Sequence, residues 1–583
     1  MMIQSIYGKR SGALRRILLT TVLVLISLIA TSLPSRSASV FDLLPGGIGT
    51  PGYYGISFEE RQPGVGELVS VITSNLAPQE RVNGVGGTFL CASMDDPECS
   101  KGSGVRARLM LPPCANEAQR MCIEGLALAT GAANTSKLEE ATLDHEVRAV
   151  STPADSVTGL PAGGGPSLWK SPTIANKAGS KSYGVAVRVT YFQNREKIGS
   201  AGKRDNPISL QSMRVSVFPV SVVSGKYYDL ESYKSVNSDG AQSYGIRPKG
   251  NDYDNLQDCA WTEAGSCAKY EDFAENTRVS LTLRMGSEMT GWLYGRMKDV
   301  NVAVTPLDKT FNKITIEGAP IAAPGAYGVI KKSELKNNPK IDERIRLGYG
   351  EFGYNEMINS PTSRGGGYDP VGNFTDFAVF EPILKTMPGA RAQWVISSGA
   401  SANGYQPQVT SQCFKDKTKL LGIVTTNALI YENGAPEFKD GTLNYKVAGL
   451  HHMEDGVTLT RGTYDLAIRS ETARCVYGFT DAPFQASISV IGSDGQEQTI
   501  ATESIREDAK REWLFLSAQN FTFSSPVIKV KLTQEKKITE AASQPKTDVK
   551  PSIVKKSITC IKGKLVKKVT GTAPKCPSGY KKR

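Results

Sequence analysis

Three histidines and ten cysteines are the side chains of this chain best suited to nucleophilic or metal chemistry. A Ser-His-Asp or Cys-His centre would have to use His145, His451 or His452, and no Gly-x-Ser-x-Gly elbow accompanies them. His451 and His452 follow an expected strand, with Glu454 close behind, which mimics part of a metal site. Adjacent strand residues point to opposite faces, so the two rings do not readily share one ion. Loop or edge histidines are the expectation.

The cysteines all follow residue 90, and their spacing is regular. Cys91 and Cys99, Cys114 and Cys122, and Cys259 and Cys267 each enclose seven residues. Cys413 and Cys475 then pair across sixty-one residues, and Cys560 and Cys576 across fifteen. Zinc sites space their ligands two to four residues apart, commonly with histidine partners, so structural disulfides are expected instead. Nearest-neighbour pairing is the simplest scheme, although Cys91, Cys99, Cys114 and Cys122 admit three connectivities. Full pairing leaves no thiol nucleophile, and it places the chain on the oxidising side of a membrane.

Carboxylates need no histidine. A glycosidase-type acid pair would draw on Glu351, Glu356, Asp369, Asp376 and Glu381 in the 345–385 region. Asp252, Asp254, Asn255 and Asp258 gather hard oxygens suited to calcium, but without the D-x-D-x-D-G spacing. No metal and no cofactor is expected, and neither a P-loop nor a dinucleotide fingerprint occurs. The most site-like stretch is GYGEFGYN (348–355) followed by SRGGGYDP (363–370). Tyr349, Phe352, Tyr354 and Tyr368 sit there among glycines, where aromatic faces are able to stack on sugar rings. The alternative is that they plug a long loop onto the sheet beneath.

Charge is segregated. The chain totals +12, with +11 from residues 545–583 and +5 from residues 1–39, which leaves the 40–544 body at −4. A nucleic-acid protein carries its basic groups on the folded surface that docks, so no nucleic acid is expected. In the tail, Lys562, Lys564, Lys567, Lys568, Lys575, Lys581, Lys582 and Arg583 crowd a unit bracketed by Cys560 and Cys576. Such a unit suits anionic cell-envelope polymers or lipids. Lys9, Arg10, Arg15 and Arg16 precede a fourteen-residue apolar run from Ile17 to Ala30, with small residues after it. That pattern reads as a secretory signal, the run being short of the about twenty residues that span a bilayer.

The elements expected to position these groups are β-strands. Val185, Val187, Val189 and Tyr191 alternate with polar or small residues. So do Val279, Leu281, Leu283 and Met285; Val300, Val302 and Val304; Leu443, Tyr445 and Val447; and Tyr464, Leu466 and Ile468. Period two means half-buried strands. Asp440-Gly441, Arg461-Gly462 and Asp494-Gly495 read as tight turns. One helix is expected over residues 373–386, kinked or divided by Pro382. The fold class is therefore mainly β, with two or more antiparallel sandwich-like domains, a small mixed connector and little helix. Residues 1–39 form the signal and 40–180 a Gly/Pro/Ser-rich, disulfide-pinned region. A β domain follows at 181–325, a mixed connector at 326–412 and a β-sandwich at 413–534. A disordered linker (535–557) and the basic tail (558–583) end the chain.

The ending ITCIKGKLVKKVTGTAPKCPSGYKKR (558–583) resembles a short C-terminal module of exported actinobacterial proteins of unknown role. TGWLYGRMKDVNVAV (290–304), LGIVTTNALIYENGAPEFKDGTLNYKVAGLH (421–451) and GTYDLAIRSETARCVYGF (462–479) are similar to such proteins too. The resemblance implies a secreted or cell-surface location and carries no catalytic residue. The expected function is a non-enzymatic binding or structural protein, held at the envelope by its tail, whose body takes a glycan or protein ligand. The alternative from another class is an extracellular carbohydrate-active hydrolase using an acid pair in 345–385.

Overall fold

Period-two stretches become strands; Lys298–Pro306 and Thr442–Ala448 keep one partly exposed face, as half-buried strands do, while two others are covered on both faces. In Ser182–Lys197, Val185, Val187 and Val189 enter the main core while Ala186 enters a second cluster behind it. In Arg461–Arg469, Tyr464, Leu466 and Ile468 face one core and Ala467 the other. Such a strand needs a layer on each side, and the chain supplies them.

The computed structural model describes residues 52–60, 62–75, 88–100, 102–131, 137–147, 150–197, 203–205, 207–236, 242–286, 291–349, 356–360, 370–399, 411–416, 418–480, 484–491, 497–498, 502–523, 527–534, 556–563, 565–571 and 573–583. They fall into two units that divide between residues 534 and 535. The protein is mainly β, with several antiparallel sheets and few helices. The expected signal segment, the 535–555 part of the linker and Asp494-Gly495 lie outside the described residues.

In the first unit, one long sheet runs through Thr88–Cys91, Val71–Asn75, Gly104–Met110, Ser182–Lys197, Ser209–Ser224, Ala392–Gly399, Trp292–Arg296, Gly422–Thr426, Arg461–Arg469, Trp513–Thr522 and Thr502–Glu507. Neighbours pair antiparallel except Trp292–Arg296 with Gly422–Thr426. A five-stranded sheet with Thr277–Gly286 at its centre shares Val279, Leu281, Ile314 and Ile316 with the main core. On the other face, Leu443, Tyr445, Val447, Ile528 and Val530 of a further sheet pack on Tyr464, Leu466 and Leu516. A four-stranded sheet containing Tyr53–Phe58 and Ala326–Lys331 packs with helices Pro339–Tyr349 and Pro370–Phe380 through Phe58, Ile341, Ile345 and Phe377.

This pairing crosses the internal boundaries expected at 180/181, 325/326 and 412/413. Gly104–Met110 pairs with Ser182–Lys197, and Cys122–Thr130 with Thr277–Gly286, so the disulfide-pinned region also supplies interior strands. Ala392–Gly399 of the expected connector lies between Ser209–Ser224 and Trp292–Arg296. Composition marks where a chain is loop-rich, but sheet order depends on long-range pairing that composition does not encode.

Local signals fared unevenly. Asp440 and Gly441 both take positive φ (52° and 73°) in a two-residue connection closed by the Lys439–Thr442 pair, as a tight hairpin demands. Arg461-Gly462, expected as a turn, instead begins a strand, and Gly462 is there because the Phe521 ring lies against its backbone. The helix starts at Pro370, not at 373, and gives way at Glu381–Ile383 to a tighter turn before strand Leu384–Thr386. Pro382 cannot donate the next helical hydrogen bond.

The second unit is a three-stranded antiparallel sheet of Lys556–Lys562, Leu565–Gly571 and Lys581–Lys582.

Candidate functional site

Five disulfides form: Cys91–Cys99, Cys114–Cys122, Cys259–Cys267, Cys413–Cys475 and Cys560–Cys576. Of the three connectivities open to the first four cysteines, the nearest-neighbour one is present. Cys114 and Cys122 lie at the entry to strand Cys122–Thr130, and Cys475 sits on helix Ser470–Tyr477. These bonds fit an oxidising compartment. Among the described residues, no helix is long and apolar enough to cross a membrane.

Among the described residues, titratable groups gather around a cavity of about 140 Å3 between strands Lys298–Pro306 and Arg461–Arg469, floored by Phe515 to Ser517. Alternation turns Asp465 to the same face as Ala467, toward the five-stranded sheet. There it is 4% exposed. Asp299 interrupts the register between Lys298 and Asn301 with φ of 54°, and its N–H donates to Asp465 Oδ2 at 3.3 Å. The Ser517 hydroxyl, directly across the strand pair, also donates to Asp465. Burial outweighs these bonds and pushes the carboxyl up from 3.8 to about 7, the negative Asp299 adding to the push. Arg278 holds the opposite wall, donating to Glu317 (2.7 and 2.9 Å) and to the Asp299 carbonyl (3.2 Å). Arg506 lies 3.9 Å from the Phe515 ring centroid. The site is therefore able to hold a proton near neutrality. Its volume falls below the about 300–1,000 Å3 typical of ligand clefts.

A second buried cluster binds segments together. Glu60 accepts from Arg296 at 2.7 Å and from Arg214 at 2.8 Å, its side chain 2% exposed. Its carbonyl accepts from Gln393 Nε2 at 2.6 Å. Arg296 also donates to the carbonyls of Thr426 and Leu429, each at 3.1 Å, and its guanidinium lies 4.4 Å from the Tyr431 ring centroid. Burial pushes Glu60 up, but the attraction of Arg296 and Arg214 prevails and holds it below its ordinary value. Asp465, Asp299, Glu60, Arg214 and Arg296 were missed from sequence. A faint signal existed in single charges inside apolar runs, YDLAI (464–468) and WLYGRM (292–297).

The expected sites fare differently. Asp376 is buried and ion-paired with Arg344, and Glu381 is exposed. Glu356 stands on strand Glu356–Ser360, while Glu351 and Asp369 lie outside the described residues. Tyr349 ends helix Pro339–Tyr349; Phe352, Tyr354 and Tyr368 lie outside the described residues. His145 bridges Asp144 and Glu263, each at 3.0 Å; burial pulls its pKa down, but the two acids prevail and raise it. The His451 ring bonds the Phe523 carbonyl and meets His452 edge-on, both in a loop. The oxygens expected for calcium are engaged separately. Asp252 pairs with Lys226, Asp254 accepts from the Lys226 N–H, Asn255 from the Gln257 N–H, and Asp258 lies 3.9 Å from Arg391. Among the described residues no group of three His, Cys, Asp or Glu side chains converges on one point.

In the tail unit, Cys560 is fully buried and its bridge to Cys576 ties the 573–583 segment to the hairpin. Lys562, Lys567, Lys568, Lys575, Lys581, Lys582 and Arg583 are all exposed; Lys564 lies outside the described residues. No acid occurs between residues 556 and 583. The Arg583 N–H donates to the Thr559 carbonyl at 2.9 Å, which fixes the chain end along the sheet. No protein-family model, no curated protein and no solved structure matches the chain.

Proposed function

We propose that this chain is an exported, envelope-associated binding or structural protein that works without catalysis. Its cationic C-terminal unit attaches it to anionic envelope polymers or lipids, and its β body presents a surface to a glycan or protein partner. The observation that carries the reading is the tail sheet: seven exposed cations and no acid between residues 556 and 583, closed by a disulfide. A tail needed only for solubility requires no fixed shape. Near an anionic surface each basic group contributes about 1 kcal/mol. Half of that over seven groups gives about 3.5 kcal/mol, a several-hundred-fold enrichment. The five disulfides support the compartment.

The test compares full-length protein with a chain truncated after Gln544, expressed in the native host. The truncated chain is expected in the medium and the full chain on cells, released by high salt. Equal retention of both would sink the reading.

A further inference from the structure

Lys562 pairs with Leu565 to close a two-residue connection in which Gly563 takes φ of 59°. The first two residues of the returning strand are Leu565 and Val566, 63% and 65% exposed. Exposed large apolar residues elsewhere in the described chain, such as Val157, Val236 and Val457, stand singly in sequence. Only here are two consecutive ones exposed. Adjacent strand residues point to opposite faces, so neither face of this sheet shields both. The apolar surface therefore belongs to the hairpin end.

Cations surround that end. Lys562 precedes the turn, Lys567 and Lys568 follow the apolar pair, and Lys581 sits across from Ile561, the partner of Val566. A phosphate polymer in water offers charge to such a surface but nothing apolar. An anionic bilayer offers both, with headgroups at the level of the lysines and the acyl boundary just beneath. We propose that the hairpin tip inserts Leu565 and Val566 into an anionic lipid bilayer, with the surrounding lysines on its headgroups. This rests on the attachment role given to the tail above, and names the lipid surface as its partner.

The test uses the oxidised full-length protein with three probes: phosphatidylglycerol vesicles, phosphatidylcholine vesicles and soluble polyphosphate. Strong partition onto phosphatidylglycerol is expected, with little onto phosphatidylcholine. Leu565→Ser/Val566→Ser should cut phosphatidylglycerol partition at least tenfold while leaving polyphosphate binding unchanged. A Leu565→Trp variant should gain fluorescence quenched by acyl-brominated phosphatidylglycerol, which reads insertion directly even if the double variant misfolds. Full partition by the double variant, or no quenching of the tryptophan, overturns insertion and leaves attachment standing. Binding to polyphosphate but not to vesicles does the same. Binding to neither removes both the insertion and the attachment.

Discussion

Arg296 donates through Nε to Glu60 Oε2 at 2.7 Å, across 236 positions of sequence, with both side chains at most 2% exposed. The pair joins the segment after Tyr53–Phe58 to the end of strand Trp292–Arg296. Arg214 brings in strand Ser209–Ser224, and the carbonyls of Thr426 and Leu429 bring in the loop after Gly422–Thr426. Removing the carboxylate leaves two guanidinium groups buried with no counter-ion. Breaking such a pair costs about 3–5 kcal/mol. Glu60→Ala should lower stability by that amount in urea unfolding, and a loss under 1 kcal/mol would show the cluster to be incidental. Because attraction to the arginines lowers the Glu60 pKa from 4.5, its contribution is present above 4.5. It is lost as pH falls through the lowered folded value.

Asp465 titrates in the opposite sense. Its folded pKa of about 7 stands above the unfolded 3.8, so the folded state binds the extra proton between them. Stability on this account is complete below 3.8 and is lost as pH rises to about 7, by about 4 kcal/mol at 1.36 kcal/mol per unit. The charged groups facing it are Asp299, Lys298, Arg506 and the Arg278–Glu317 pair. Asp465→Asn keeps an oxygen for the Asp299 N–H and removes the charge. The variant should unfold at higher urea than wild type at pH 8 and near the wild-type midpoint at pH 4. Parallel pH profiles for the two proteins would refute the assignment.

Backbone proximity gives a sharper mutational contrast. A Cβ at Gly295 would overlap the Val395 carbonyl oxygen, in the antiparallel pair that joins Trp292–Arg296 to Ala392–Gly399. A backbone oxygen in a central sheet cannot turn aside as a side chain can. Gly125, also in a strand, has open space where a Cβ would go and no positive φ. Gly295→Ala should therefore cost over about 3 kcal/mol or prevent folding, while Gly125→Ala stays within about 1 kcal/mol. Equal thermal midpoints for the two would contradict the strand placement.

What could be read from sequence was local. The alternation of Val279 to Met285 and of Leu443 to Val447 marked strands that the structure contains, and Asp440-Gly441 marked its hairpin. Gly462 misled because a glycine preceding a strand and a glycine beneath an aromatic ring look identical until Phe521, fifty-nine residues on, is placed. The Glu60–Arg296 pairing was illegible for the same reason: Arg296 stands out faintly in its apolar run, but nothing local names Glu60, 236 positions earlier, as its partner. In the tail the lysines and the cysteine bracket were plain. The exposure of Leu565 and Val566 was not, because two apolar residues between lysines read equally well as a small core.

The disulfides offer the last contrast. Cys413–Cys475 closes a sequence separation of 62, while Cys91–Cys99 closes one of 8. Loop-entropy scaling gives about 4 kcal/mol for the long loop and about 2.5 kcal/mol for the short one. The long bridge also ties the turn Gln412–Phe414, whose Phe414 packs on Trp292, to helix Ser470–Tyr477. Alanine pairs at 413/475 should therefore lower stability more than pairs at 91/99, by about 2 kcal/mol. Native protein denatured without reductant should show no reactive thiol, since all ten cysteines are bonded. Equal losses from the two pairs would mean that strain or residual unfolded structure, rather than loop length, sets what each bridge contributes.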